Sequence, residues 1–212
     1  MHRYSNRIAA AFACTVLCGV LAAGSTSASA SDSAPLGDDA ATPSVRVVDR
    51  TNESAPAATR APLMGDAVSP PVSVKGVIPV PPEINLRVGE SVQVNYSDGV
   101  VVHQALAAGC TSSSAVSNPY VASGYAWSDH SHSLSSGCPN STSVNGILSS
   151  FAWPLWHQRH FYTVTVTPGT SVYWSPRKQC QNNGSTTWHA ENAIGSSTTA
   201  LSADVNLACN PG

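Results

Sequence analysis

Between residues 160 and 166 the side chains alternate without a slip. His160, Tyr162, Val164 and Val166 fall on one side of an extended chain, and Phe161, Thr163 and Thr165 on the other. No window of about eleven residues or more carries an apolar stripe at helical spacing, so the chain must cover its apolar surface with strands. The surrounding stretch, FAWPLWHQRHFYTVTVTPGTSVYW at 151–174, holds three of the five tryptophans. Its ProGlyThr at 168–170 ends one strand before SerValTyrTrp begins the next.

Other segments repeat the pattern. Ile84, Leu86 and Val88 alternate with Asn85 and Arg87, and Val92, Val94 and Tyr96 alternate with Gln93 and Asn95. GlyGlu at 89–90 and SerAspGly at 97–99 are turn signals, so three strands are expected here, entered through ProProGlu at 81–83. From Gly109 to Gly146 serine, glycine, asparagine and proline dominate. That is long for a structureless connection, and a short strand is expected in VASGYAW at 121–127. Near the end, Leu201, Ala203, Val205 and Leu207 alternate with Ser202, Asp204 and Asn206. Many short strands between turn residues predict an all-β fold: a two-sheet antiparallel sandwich of immunoglobulin-like or jelly-roll type, with a small β-barrel as the alternative. The strand ending in ValGlyGlu and the following SerValGlnVal resemble, over about twelve residues, the opening strands of bacterial immunoglobulin-like modules. The resemblance implies the sandwich and brings no functional residue with it.

The start of the chain has a different character. His2, Arg3 and Arg7 precede an apolar run from Ile8 to Ala23 and then the small residues SerThrSerAlaSerAla, which predicts a signal peptide over 1–30 cleaved after Ala28 or Ala30. The run is shorter than the roughly 20 residues a membrane span needs. Residues 31–71, without an aromatic residue and rich in Ala, Pro, Ser, Asp and Thr, are expected to form a disordered leader or a propeptide. Residues 72–212 are left as one domain of ordinary size.

Four of the six cysteines lie in that domain: Cys110, Cys138, Cys180 and Cys209. In an exported chain an even number predicts disulfides, and joining neighbours in sequence staples the two polar, glycine-bearing stretches. Each closure removes roughly 3.6 kcal/mol of unfolded-state freedom in the loop model.

From Val74 onward only five cations face six carboxylates, so the domain lacks the basic cluster that nucleic-acid binding requires. With the signal removed, no membrane insertion is expected either. Histidine is the residue type that invites a metal. His130 and His132 share one side of an extended strand, and His157 or His160 could complete a zinc or copper set, although no known ligand spacing is matched. No other cofactor is indicated. Trp153, Trp156, Tyr173 and Trp174 are the candidate binding residues, because neighbouring rings on a strand must face opposite sides and some are forced outward. The expected role is therefore a secreted, non-catalytic β-domain that binds a carbohydrate or an extracellular protein through exposed aromatics. The alternative is a secreted hydrolase or a histidine-ligated metal protein. No GlyXSerXGly elbow is present and no catalytic residue is singled out; a serine–histidine relay can be assembled on paper from any serine-rich chain, so only geometry can decide.

Overall fold

The computed structural model describes residues 45–56 and 71–212, and every regular element among them is a strand. The chain forms β1 (Val45–Arg50), β2 (Val72–Lys75), β3 (Ser91–Tyr96), β4 (Gly99–Ala107) and β5 (Cys110–Ser117). A small hairpin follows, β6 (Tyr120–Ala122) and β7 (Tyr125–Trp127), and then β8 (His130–Leu134). The remainder is β9 (Thr142–Ala152), β10 (Leu155–Val166), β11 (Thr170–Trp174), β12 (Arg177–Gln179), β13 (Asn182–Ile194), β14 (Ser197–Leu201) and β15 (Val205–Asn210).

The all-β expectation holds, but the strands make three sheets rather than a clean two-sheet sandwich or a closed barrel. The first runs β1-β3-β4-β5-β8-β11-β2. The second runs β10-β9-β13-β14, with β15 also paired to β13. The third, β12-β7-β6, arises because the connections on either side of the β8–β11 block each contribute a short strand of their own. Its Ala126 is buried against Leu148, Trp188, Ala190 and Cys209 beneath the second sheet.

The central strands of the first sheet are covered on both faces, and this decides what their sequence looks like. Toward the second sheet the first presents Leu134, Val172 and Trp174, which pack on Val144, Val164 and Val166. On its other face Val92, Val94, Tyr96, Val101 and Ala115 are roofed by Ile78 and Ile84. The segment expected to be a strand at 84–88 is that roof: Ile84 is buried and Leu86 packs on the cluster, but the backbone joins no sheet. Alternation there reports which side chains turn inward, a condition that a covering loop meets as well as a strand.

Three other expectations need correction. Val45–Arg50, inside the stretch read as a disordered leader or a propeptide, is ordered and lies parallel to β3; Val48 packs on the cluster under the first sheet, Asp49 accepts from Asn95 Nδ2 at 2.7 Å, and Arg50 pairs with Glu83. The expected signal peptide and the rest of the leader fall outside the described residues, apart from 51–56 and Pro71. The polar stretch 109–146 is more than half strand, broken mainly at 135–141, because strands buried between two layers need hydrogen bonds more than they need alternation. The run 199–209 is broken into β14 and β15, with Leu201 exposed and Ser202 buried, the reverse of the expected faces. Where one short strand was expected in 121–127, the chain forms a hairpin of two, β6 and β7.

Both disulfides join neighbours in sequence as expected, Cys110 to Cys138 and Cys180 to Cys209. Cys110, Cys138 and Cys209 are buried, so the bridges are part of the cores they close.

Candidate functional site

The long β9–β10 hairpin carries its register through most of its length, with a bulge at Arg159 between Gln158 and His160. Trp156 lies opposite Phe151, and Phe161 lies opposite Ile147. On the other side of β9, His189 of β13 lies opposite Ser149. Residues opposite one another, or two apart, share a face of the sheet. Phe151, Trp156, Phe161 and His189 therefore share the outer face of the second sheet, while Leu148, Val164, Trp188 and Ala190 fill the inner one.

On the outer face the Trp156 indole stacks on the His189 imidazole, with centroids 3.8 Å apart and planes at 25°, and meets Phe151 edge-on at 5.4 Å. His189 Nδ1 sits 3.3 Å from Asp204 Oδ1, which orients the imidazole beneath the indole. Trp156 remains 38% exposed. The surrounding side chains are amides and hydroxyls: exposed Gln158, Thr187 donating to Asn206 Oδ1 at 2.6 Å, and Thr163 donating to Asn145 Oδ1 at 2.9 Å. At the hairpin tip Trp153 is 86% exposed.

The other two candidate rings are elsewhere. Trp174 is 2% exposed, stacked on His130 with centroids 5.5 Å apart, and lies where Gly146 lets it in: a Cβ on Gly146 would come 2.1 Å from the indole Nε1. Tyr173 faces the opposite side of β11 and is half-buried. The four rings do not form one surface. Phe151 and His189 were not singled out from the sequence; His189 comes to Trp156 across a strand pairing that spacing along the chain does not reveal.

The histidines divide in the same way. His130 and His132 do share a face of β8, but that face is the sealed space between the first two sheets. His130 uses both nitrogens, Nε2 at 2.7 Å from Ser128 Oγ and Nδ1 at 2.7 Å from Asn192 Oδ1, and so has no lone pair to offer a metal. His157 is exposed on the hairpin, and His160 Nδ1 donates to the Arg177 carbonyl at 3.1 Å. Among the described residues no three His, Cys, Asp or Glu side chains are grouped so as to hold a metal ion. Burial drives His103, His130 and His132 down to about 4, so all three are neutral near pH 7. Neither nitrogen of His132 has a hydrogen-bond partner, an arrangement that costs about 1–3 kcal/mol.

Ser128, His130 and Asn192 reproduce the order of contacts of a hydrolase relay, in which a serine hydroxyl donates to an imidazole whose second nitrogen donates to a side-chain oxygen. All three are fully buried, each 0% exposed. Asn192 Nδ2 also lies within 3.0–3.1 Å of Ser114 Oγ and the carbonyls of Ala115 and Ser131. The trio is a polar rivet between the two sheets, because a nucleophile must meet its substrate and this one meets only protein.

A cleft of about 310 Å³ is lined by Asp98 and Asp129 together with Ser117, Asn118 and Tyr120. Both carboxylates serve the fold: Asp129 accepts from Ser175 Oγ at 2.6 Å and from the Tyr120 hydroxyl at 3.2 Å, and Asp98 accepts from the Ala55 amide at 2.9 Å. Burial and the neighbouring Asp129 push the Tyr120 hydroxyl well above its usual range, keeping it a donor.

No family model matches the chain, and no curated protein does. Among solved structures the chain is similar to a β-glucosidase from Kluyveromyces marxianus, at 9% identity and a TM-score of 0.34. The match covers 43% of this chain and 14% of that one, too slight a likeness to carry an assignment.

Proposed function

We propose that the chain is a secreted, non-catalytic module that binds a carbohydrate on the outer face of its second sheet, centred on Trp156. The observation that carries this reading is the indole held over His189 at 3.8 Å, still partly exposed, in a setting of amide and hydroxyl side chains. A sugar ring has an apolar face that an aromatic plane can cover and hydroxyls around its edge that need hydrogen-bonding groups. Gln158 and Asn206 stand beside the rings, and Asp204 reaches the site through His189. Because His189 and Phe151 already hold the indole, little side-chain freedom is lost when a ligand stacks on it.

The test is affinity electrophoresis through gels cast with a panel of neutral polysaccharides. At least one should retard the protein, and Trp156→Ala should weaken that binding about 30-fold, the ~2 kcal/mol of an anchoring ring. The urea midpoint should barely move, since a partly exposed ring contributes little to the core. Equal retardation of both proteins sinks the reading, as does the failure of every polysaccharide to retard either.

A further inference from the structure

We propose that the tip of the β9–β10 hairpin is a wedge for a phospholipid surface, with Trp153 and Leu155 entering the boundary between headgroups and acyl chains. The idea stands apart from carbohydrate binding on the sheet face. Pairing of β9 with β13 extends only to Ser150, so residues 151–156 run past β13 as a two-stranded ribbon. At its end Trp153 is 86% and Leu155 63% exposed.

Parity makes this ribbon apolar on both sides. Phe151 and Trp156 share one face, while Leu155 lies opposite Ala152 on the other, with Trp153 and Pro154 at the turn between. A flat ligand covers one face of a sheet. A two-sided apolar tip is covered completely only by immersion. The sequence FAWPLW also offers no side-chain hydrogen-bonding group except its indole N–H donors, so it lacks what is needed to orient sugar hydroxyls. Tryptophan suits the interface itself, where its apolar body and single donor meet a boundary that is dry on one side and wet on the other.

Charge points to the same occupant. Between Asp129 and Glu191 the chain has no carboxylate, while Arg159 lies just behind the tip. Arg159 Nε donates to Ser150 Oγ at 2.7 Å, which fixes the cation at the base of the ribbon, level with headgroups once the tip is immersed. Anionic headgroups are attracted to such a base and meet no acidic residue on the hairpin. This departs from the sequence expectation of no membrane insertion after removal of the signal. Among the described residues no helix is long and apolar enough to cross a membrane, but a hairpin tip that enters the interface needs none.

The experiment uses the full-length protein with phosphatidylcholine vesicles containing phosphatidylglycerol and a doxyl group at a shallow acyl position. Tryptophan quenching is recorded for the wild type and for Trp153→Phe, and vesicle partitioning for Trp153→Ser/Leu155→Ser. All three proteins keep the apolar run at 8–23, so a contribution from that run is common to them. The expected result is quenching in the wild type that is lost in Trp153→Phe, with partitioning of the double variant reduced at least tenfold and its urea midpoint unchanged. Quenching that persists without Trp153, or unchanged partitioning of the double variant, overturns the proposal. So does a double variant that keeps its lipid binding but loses retardation by a polysaccharide, or loses a dimer seen by sedimentation, since the tip then belongs to that partner. Trp156→Ala should keep vesicle quenching at Trp153 whatever it does to polysaccharide binding, so each reading can fail without the other.

Discussion

Two tryptophans in this domain stack on histidines, and they have opposite consequences. Trp174 lies over His130 between the first two sheets, 2% exposed, with its edge against Gly146; Trp156 lies over His189 on the outer face of the second sheet, 38% exposed and beside an aspartate. The ring pairs are chemically alike and their planes are nearly equally inclined, at 28° and 25°. What differs is the medium. Sealed from water, the inner imidazole must stay neutral and use both nitrogens on Ser128 and Asn192, so the pair becomes part of what holds the sheets together. At the surface the outer pair keeps part of its area open, which contributes little to folding and leaves a face for something else to cover.

The contrast can be tested first with acid. Three buried histidines have their pKa lowered by burial to about 4 in the folded protein, against 6.5 when exposed. A group depressed on folding stabilises the native state fully above the unfolded pKa. That contribution is lost as pH falls from about 6.5 toward 4, because the unfolded chain binds the proton first. Each such histidine accounts for roughly 3 kcal/mol, so urea midpoints should drop steeply over this window and the domain should unfold near its lower end. His130→Gln and His132→Gln should flatten the slope. A pH-independent midpoint between 7 and 4.5 would falsify the sealed-core side of the comparison.

Next in size is the ring itself. Trp174→Ala should reduce unfolding free energy by about 3–5 kcal/mol in urea titrations, as expected for emptying a packed aromatic site. The same truncation at Trp156 should register in ligand binding instead. Equal stability losses for the two variants would show that Trp156 is as much a part of the core as Trp174.

The smallest effect is expected at Ser128. Its hydroxyl has the geometry of a nucleophile and the burial of a structural donor, so Ser128→Ala should cost about 1–2 kcal/mol of stability by leaving His130 Nε2 unpaired. A fluorophosphonate should label neither wild type nor variant. Labelling that disappears in Ser128→Ala would show that the space between the sheets opens to solvent, and would return the hydrolase reading to the front.

Much of the fold was legible along the chain wherever only one layer of neighbours mattered. The alternation came out as read at the end of β10, with Val164 and Val166 buried and Thr163 and Thr165 exposed, but Tyr162, on the side of the valines, is 43% exposed like its neighbour Phe161, because only that end of the strand is covered by the core. The sequential disulfides were legible too, since cysteine number and the polarity of the two closed stretches point to that pairing. Legibility failed in β5 and β8, CysThrSerSerSerAlaValSer and HisSerHisSerLeu, whose polar residues look like surface and lie in the most enclosed layer. A serine buried between two covered faces satisfies its hydroxyl across the layer, as Ser133 does with the Ile78 amide at 3.0 Å, and no periodicity records that partner.

The amino-acid order by itself determined that the domain is built of strands, that four cysteines are there to form disulfides, and that some aromatic side chains on β10 must face outward, for these follow from the two-residue period and from counting; which cysteines pair was settled by the fold. Only the tertiary structure decided which imidazoles are sealed and which stand in water, that Trp174 is core while Trp153 and Trp156 are surface, and that Asp204, His189 and Trp156 meet. The physical reason is that burial and cross-strand stacking depend on what the other layers and other strands place nearby. Those neighbours come from tens of residues away in the chain, where local spacing carries no trace of them.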